Sequence, residues 1–161
     1  MKQLLIALTV IITAILFSCT SKQNSTQPDA PAKNIPSPIE GNWETVSFEV
    51  NGKPTHPKRV PQQFKMFHDG FFSLLAYNDE GEFAFAGAGT YEVTGNMYKE
   101  TCTYHSATAD IGFTDWQKWE IKGDTLVMYG FEKALMGDGK DITKEVNANG
   151  MFVEKRVRAK K

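Results

Sequence analysis

The stretch from Gly87 to Phe131, GAGTYEVTGNMYKETCTYHSATADIGFTDWQKWEIKGDTLVMYGF, constrains this chain more than any other. Thr90 to Thr94, Met97 to His105, Trp116 to Lys122 and Thr125 to Phe131 are rich in β-branched and aromatic residues, which favour extended backbone. Gly95-Asn96 and Gly123-Asp124 separate two of the pairs, and such two-residue tips between strand-like runs are the strongest short-range hairpin signal. Consecutive hairpins make an antiparallel meander.

The flanks extend the pattern. In Glu44 to Val50 the residues Val46, Phe48 and Val50 fall on one face, with Thr45, Ser47 and Glu49 on the other. Gln63 to His68 and Phe71 to Tyr77 are joined by Asp69-Gly70, and Glu82 to Ala86 follows a polar tip. Gly87-Ala88-Gly89 is expected to break or bend that strand. Lys53 to Pro61 holds three prolines and His56, so it reads as a loop, placed as a lid over one barrel end. Lys133 to Lys140 is expected to be a loop or a helical turn, Ile142 to Val146 a strand, and Met151 to Val157 the closing strand. The fold class is therefore all-β: an antiparallel up-and-down β-barrel of about 8–10 strands, closure being the simplest way to remove exposed edges. A two-sheet sandwich is the alternative.

Residues 1–18 open with Met1-Lys2, continue through the apolar run Leu4 to Phe17 and end at Ser18, the form of a secretory signal too short to span a bilayer. Leu16-Phe17-Ser18-Cys19 resembles the lipobox of bacterial lipoproteins. That resemblance implies cleavage before Cys19, acylation of Cys19 and a membrane partner through the lipid anchor. Residues 19–38 carry four prolines and little apolar surface, the composition of a flexible tether. In some Gram-negative groups surface-exported lipoproteins share an acidic run after the cysteine. Thr20-Ser21-Lys22-Gln23 stands here instead, which favours the periplasmic face of the outer membrane. Residues 39–158 form the barrel and 159–161 a basic tail.

Gly41-Asn42-Trp43, at the start of the first barrel strand, resembles the Gly-x-Trp signature of the lipocalins and the wider calycin barrels. Thr114-Asp115-Trp116 is similar to their second motif, Thr-Asp-Tyr, with Trp in place of Tyr. The resemblance, which extends to lipocalin-like lipoproteins of uncharacterised function, implies that Trp43 plugs one end of the barrel and that an arginine near the last strand, Arg156 or Arg158, stacks on it.

The inward faces hold the candidate site. Facing Lys118, Glu120 and Lys122 to water turns Gln117, Trp119 and Ile121 inward. Facing Lys99, Thr101, Thr103 and His105 outward turns Tyr98, Glu100, Cys102 and Tyr104 inward. Glu100 then needs a partner, because an unpaired buried charge is costly. Phe48, Phe72, Tyr91, Tyr98, Glu100, Tyr104, Trp119 and Met128 are the candidate ligand-lining residues. With Cys19 acylated, Cys102 has no disulfide partner and reads as a small buried hydrophobe. His56, His68 and His105 lack metal-ligand spacing, and Asp138-Gly139-Lys140-Asp141 lacks the closing glutamate of a calcium loop. No metal, cofactor or assigned catalytic residue is expected. A formal charge of -1 provides no basic field for nucleic acid. The expectation is a membrane-anchored barrel that binds a small apolar or amphipathic ligand. The alternatives are a filled barrel serving an envelope assembly, its protein partners unread, and an enzyme using Glu100 as acid or base.

Overall fold

The computed structural model describes residues 37–55 and 62–160. The signal segment, Cys19, the tether through Pro36, and His56, Pro57 and Pro61 of the expected lid lie outside the described residues.

Nine strands follow one another along the described chain: β1 (Gly41–Val50), β2 (Lys53–Pro54), β3 (Gln63–His68), β4 (Phe71–Tyr77), β5 (Phe83–Thr94), β6 (Met97–His105), β7 (Thr114–Lys122), β8 (Thr125–Leu135) and β9 (Phe152–Arg158). From β3 to β9 each pairs antiparallel with the next, and β1 pairs with both β3 and β9. Eight strands therefore close into a barrel, and β2 is a two-residue extension laid against Glu49 and Val50 of β1. Closure settles the choice between barrel and sandwich.

Three local expectations are corrected. The glycines at 87 and 89 do not break the strand, since β5 runs through them, although the ladder to β6 shifts between Ala88 and Gly89. They allow close approach instead: a Cβ on Gly89 would lie 1.9 Å from the Thr101 carbonyl oxygen. The segment after Asp141 is a single helical turn, Thr143–Val146, not a strand. Asp141 Oδ1 accepts from the Thr143 amide at 2.9 Å and from its hydroxyl at 2.6 Å, a local bond that competes with extended pairing. The last meander strand also extends past Phe131 to Leu135.

The two ends of the barrel differ in their connections. Asp69-Gly70, Gly95-Asn96 and Gly123-Asp124 turn the chain in two residues at one end. Residues 78–82, 106–113 and 136–151 make longer connections at the other. Two of these touch at glycines: a Cβ on Gly112 would lie 2.6 Å from the Gly137 Cα.

The short-turn end is packed solid. Trp43, 1% exposed, donates its indole N–H to the Ile39 carbonyl at 2.7 Å. Phe67 meets Tyr91 and Tyr98 edge-on at 5.2 and 5.8 Å between ring centroids. Leu126 and Met128 complete the cluster. The Arg158 guanidinium lies 3.9 Å from the centre of the Trp43 ring and also donates to the carbonyls of Glu40 and Pro38. Of the two arginines named by the resemblance, Arg158 thus holds this position. Glu40 closes the edge of the plug, its Oε1 accepting from the Tyr91 hydroxyl at 2.9 Å and the Asp69 amide at 2.8 Å.

Two bulges decide which side chains face in. In β1, Thr45 pairs with Arg156 and Ser47 with Lys155, so Val46 is an extra residue. In β6, Cys102 pairs with Gly89 and Tyr104 with Ala88, so Thr103 is extra. An extra residue breaks the two-residue alternation, and every side chain beyond it changes face. Trp43 and Thr45 therefore face in together with Phe48 and Val50, while Val46 is 36% exposed. Tyr104, expected inside, is 74% exposed, and His105, expected outside, faces the interior. Ile121, also expected inside, is exposed near the end of β7, past the ladder shifts around Gln117.

Candidate functional site

Above the plug the barrel is hollow. A cavity of about 480 Å³ opens toward the long-loop end. That volume falls within the range of about 300–1,000 Å³ typical of small-molecule sites.

Its upper wall is aromatic. Phe48 stacks on Phe152 at 4.9 Å, Phe152 meets Phe131 edge-on at 5.0 Å, and Phe131 meets Phe113 edge-on at 5.9 Å. Phe85 and His105 lie 5.4 Å apart on the opposite side. Rings from β1, β5, β8, β9 and the connection before β7 thus make an apolar collar. Each strand supplies its ring by the alternation of the pleat, corrected for its bulge.

The floor is polar. Lys65 of β3 and Glu100 of β6 form a largely buried ion pair, with side-chain exposures of 5% and 13%. The same Glu100 oxygen accepts from the Tyr98 hydroxyl. Lys65 is also held over the Phe72 ring, 4.5 Å from its centre. Two partners for Glu100 answer the cost of burying its charge. Arg156 of β9 donates through Nη2 to Glu154 at 2.6 Å and to Gln63 at 2.7 Å. Thr45 donates to the same Glu154 oxygen at 2.9 Å. Asp115 accepts from the Gln117 amide at 2.6 Å.

Burial shifts three groups in and beside this floor. It pushes the Asp115 carboxyl well above the usual carboxylate range, and the charge of Glu100, its cross-strand partner, adds to the effect. Burial followed by Glu100 also raises the Tyr98 hydroxyl. The Cys102 thiol is raised for the same two reasons and donates to the Tyr104 carbonyl at 3.2 Å. A thiol so held stays protonated near neutral pH and is a poor nucleophile. His105 lies 3.2 Å from Asp110 at the mouth.

The candidate lining residues separate into three groups. Phe48, Phe72 and Glu100 line the cavity. Tyr91, Tyr98 and Met128 belong to the plug, with Trp119 packed against it. Tyr104 stands outside, turned there by the bulge at Thr103. The sequence reading missed Lys65, Asp115, Glu154 and Arg156 as lining residues. Lys65 was legible in principle, since it shares the face of Phe67 in a six-residue strand. Among the described residues no group of three or more His, Cys, Asp or Glu side chains is placed to hold a metal ion.

No family model and no curated protein matches the chain. Among solved structures, an uncharacterized protein from Bacteroides eggerthii DSM 20697 is similar at 15% identity, covering 74% of this chain and 98% of that one with a TM-score of 0.46. A lipocalin-like protein from Bacteroides uniformis ATCC 8492 is similar at 14% identity, covering 75% and 98% with a TM-score of 0.47. The barrel assignment stands on the closed strand ladder of the chain itself.

Proposed function

We propose that this chain is a lipid-anchored, lipocalin-like binding protein that holds one small amphipathic molecule in the barrel. The observation that carries the reading is the cavity: about 480 Å³, an aromatic collar above and a hydrogen-bonding floor below. A ligand with an apolar body and one polar end matches that division, because apolar area leaves water while the polar end finds partners. A barrel serving only as a solid interaction scaffold has no use for such a void.

The signal and the residues after it support an anchor at Cys19 and favour the periplasmic face of the outer membrane. Several acyl chains hold a protein on a membrane where one does so only reversibly. The tether then lifts the barrel into the aqueous compartment, where a sparingly soluble amphipath needs a carrier.

The test is mass spectrometry of the full chain isolated from its own membranes. We expect an acylated N-terminal cysteine and, after organic extraction, one small amphipathic molecule per chain. A chain with no extractable molecule that also fails to bind any member of a panel of lipid extracts would overturn the reading.

A further inference from the structure

We propose that the outer wall of the barrel over β3 to β6 is an interface on which a second copy of this chain docks about a two-fold axis. Such docking is independent of the cavity and of what the cavity holds. On the other side of the barrel, outward side chains pair as ions: Lys118 with Glu132 at 2.8 Å, Lys122 with Glu120 at 2.8 Å and Lys155 with Glu49 at 3.6 Å. Between Phe64 and Thr90, among the described residues, no Lys, Arg, Asp or Glu stands on the outward strand positions of β3, β4 and β5.

In place of charge this wall presents rings and aliphatic groups to water. Phe71 is 62% exposed, Phe83 57% and Tyr104 74%, and Met66 and Leu75 are exposed beside them. Exposed apolar side chains elsewhere, such as Val46 and Ile121, are scattered over other elements. A fully exposed aromatic side chain offers roughly 200 Å², so the three rings alone present on the order of 400 Å². With Met66, Leu75 and the threonines between them the wall offers about 600–800 Å², more than a lone chain ordinarily exposes and close to one partner's share of a standard interface. Aromatic and Met side chains with little charge are also the composition of an interface core.

The register gives this face a shape that suits its own copy. Met66, Ser73, Ala88 and Tyr104 form one row across β3, β4, β5 and β6, and Phe64, Leu75 and Ala86 form the next. Ser73, Ala86 and Ala88 make a trough of small side chains, and Tyr104, turned out by the bulge at Thr103, stands beside it as a knob. A two-fold axis running along the strands over Ala88 sets Tyr104 of each copy over Ser73 of the other. Knob and trough on one face are what an isologous contact requires. The same axis leaves both Ile39 ends on one side, as two chains anchored in a single membrane need. The contact desolvates no charge, since the outward positions it covers on β3, β4 and β5 carry none. Docking on a bilayer instead calls for cations beside the apolar groups to meet the head groups, and these positions supply none.

The experiment is sedimentation equilibrium of the full chain in a detergent of matched buoyant density, which reads the protein mass alone. The expected result is two chains per particle at micromolar concentration, and association at least about ten-fold weaker for Tyr104→Lys, which brings an ammonium group to the trough from an exposed site. One chain per particle up to about 100 μM overturns the proposal. So does a dimer that Tyr104→Lys leaves unmoved, because its contact lies in the acyl chains or on another face. A short bis-maleimide applied to the native membranes is expected to join two chains of Ala88→Cys and none of Lys118→Cys, on the charged wall. Equal joining of both overturns the two-fold contact, and so does an Ala88→Cys chain that stays single and is shielded from the reagent by the bilayer. The cross-linking comparison decides the matter even if Tyr104→Lys fails to fold.

Discussion

At the closed end of the barrel, Phe67, Tyr91 and Tyr98 meet around Trp43 and leave no space; at the open end, Phe48, Phe152, Phe131 and Phe113 touch in the same way and surround a void. The residue types are alike, so aromatic content does not separate a plug from a pocket. Two other things do. The closed end is crossed by chain, since Ile39 and Glu40 run beneath Trp43 and are pinned by Trp43, Tyr91 and Arg158. Its turns are two residues long and bring strands together, whereas the open end has connections of up to sixteen residues, 136–151, which hold the rim apart.

That contrast is broken or sharpened most strongly by truncating one ring at each end. Trp43→Ala removes the centre of a close-packed cluster and is expected to cost about 3–5 kcal/mol of unfolding free energy in urea. Phe48→Ala enlarges a space that already exists, so its cost is expected to be about half as much or less, with a clear loss of ligand affinity. Equal costs would mean that the two ends are packed alike.

Next in size is a pH effect at the floor between the two ends. Asp115 holds its proton more tightly in the folded chain than in the unfolded one, because burial and Glu100 raise it. The folded state then binds more protons over that window, so Asp115 costs the fold stability as pH rises from the ordinary carboxylate range through its folded value. Asp115→Asn retains the oxygen that accepts from Gln117 and has no proton to lose. Its stability relative to the wild type is expected to grow between pH 5 and pH 8 in urea titrations. A difference that does not change with pH would place Asp115 in a solvated setting.

The smallest effect tests the lower surface of the plug. Arg158→Ala loses the cation over Trp43 and two bonds to carbonyls and is expected to cost about 0.5–1 kcal/mol, since the arginine is solvent-exposed. Its effect on ligand binding should be negligible, because Arg158 lies on the far side of the plug from the cavity.

Much of the barrel was legible because hairpin tips and alternation are local. Asp69-Gly70, Gly95-Asn96 and Gly123-Asp124 name their own turns. The site was less legible because facing is cumulative: one extra residue at Thr103 moved Tyr104 out and His105 in, and another at Val46 put both Trp43 and Phe48 inside. Neither bulge has a sequence signature of its own. Glu100 was recognised as a buried charge in need of a partner, but its partner Lys65 lies thirty-five residues away, and only the closed ladder brings β3 and β6 face to face across the barrel. The helical turn after Asp141 was missed because a hydrogen bond from Thr143 outweighed the β-branched pattern.

The claim that the open end is a ligand pocket is tested most directly by filling it. Leu74 lines the cavity from β4, and Leu74→Trp places a bulkier side chain, an indole, in the void. Binding of the uncharged fluorescent amphipath N-phenyl-1-naphthylamine is measured with the wild type and the variant, alongside their unfolding midpoints. The account predicts that the probe binds the wild type and that the variant loses at least about ten-fold in affinity while unfolding at a similar urea concentration. Unchanged binding to a well-folded variant would show that the probe sits elsewhere and that the cavity is not the site.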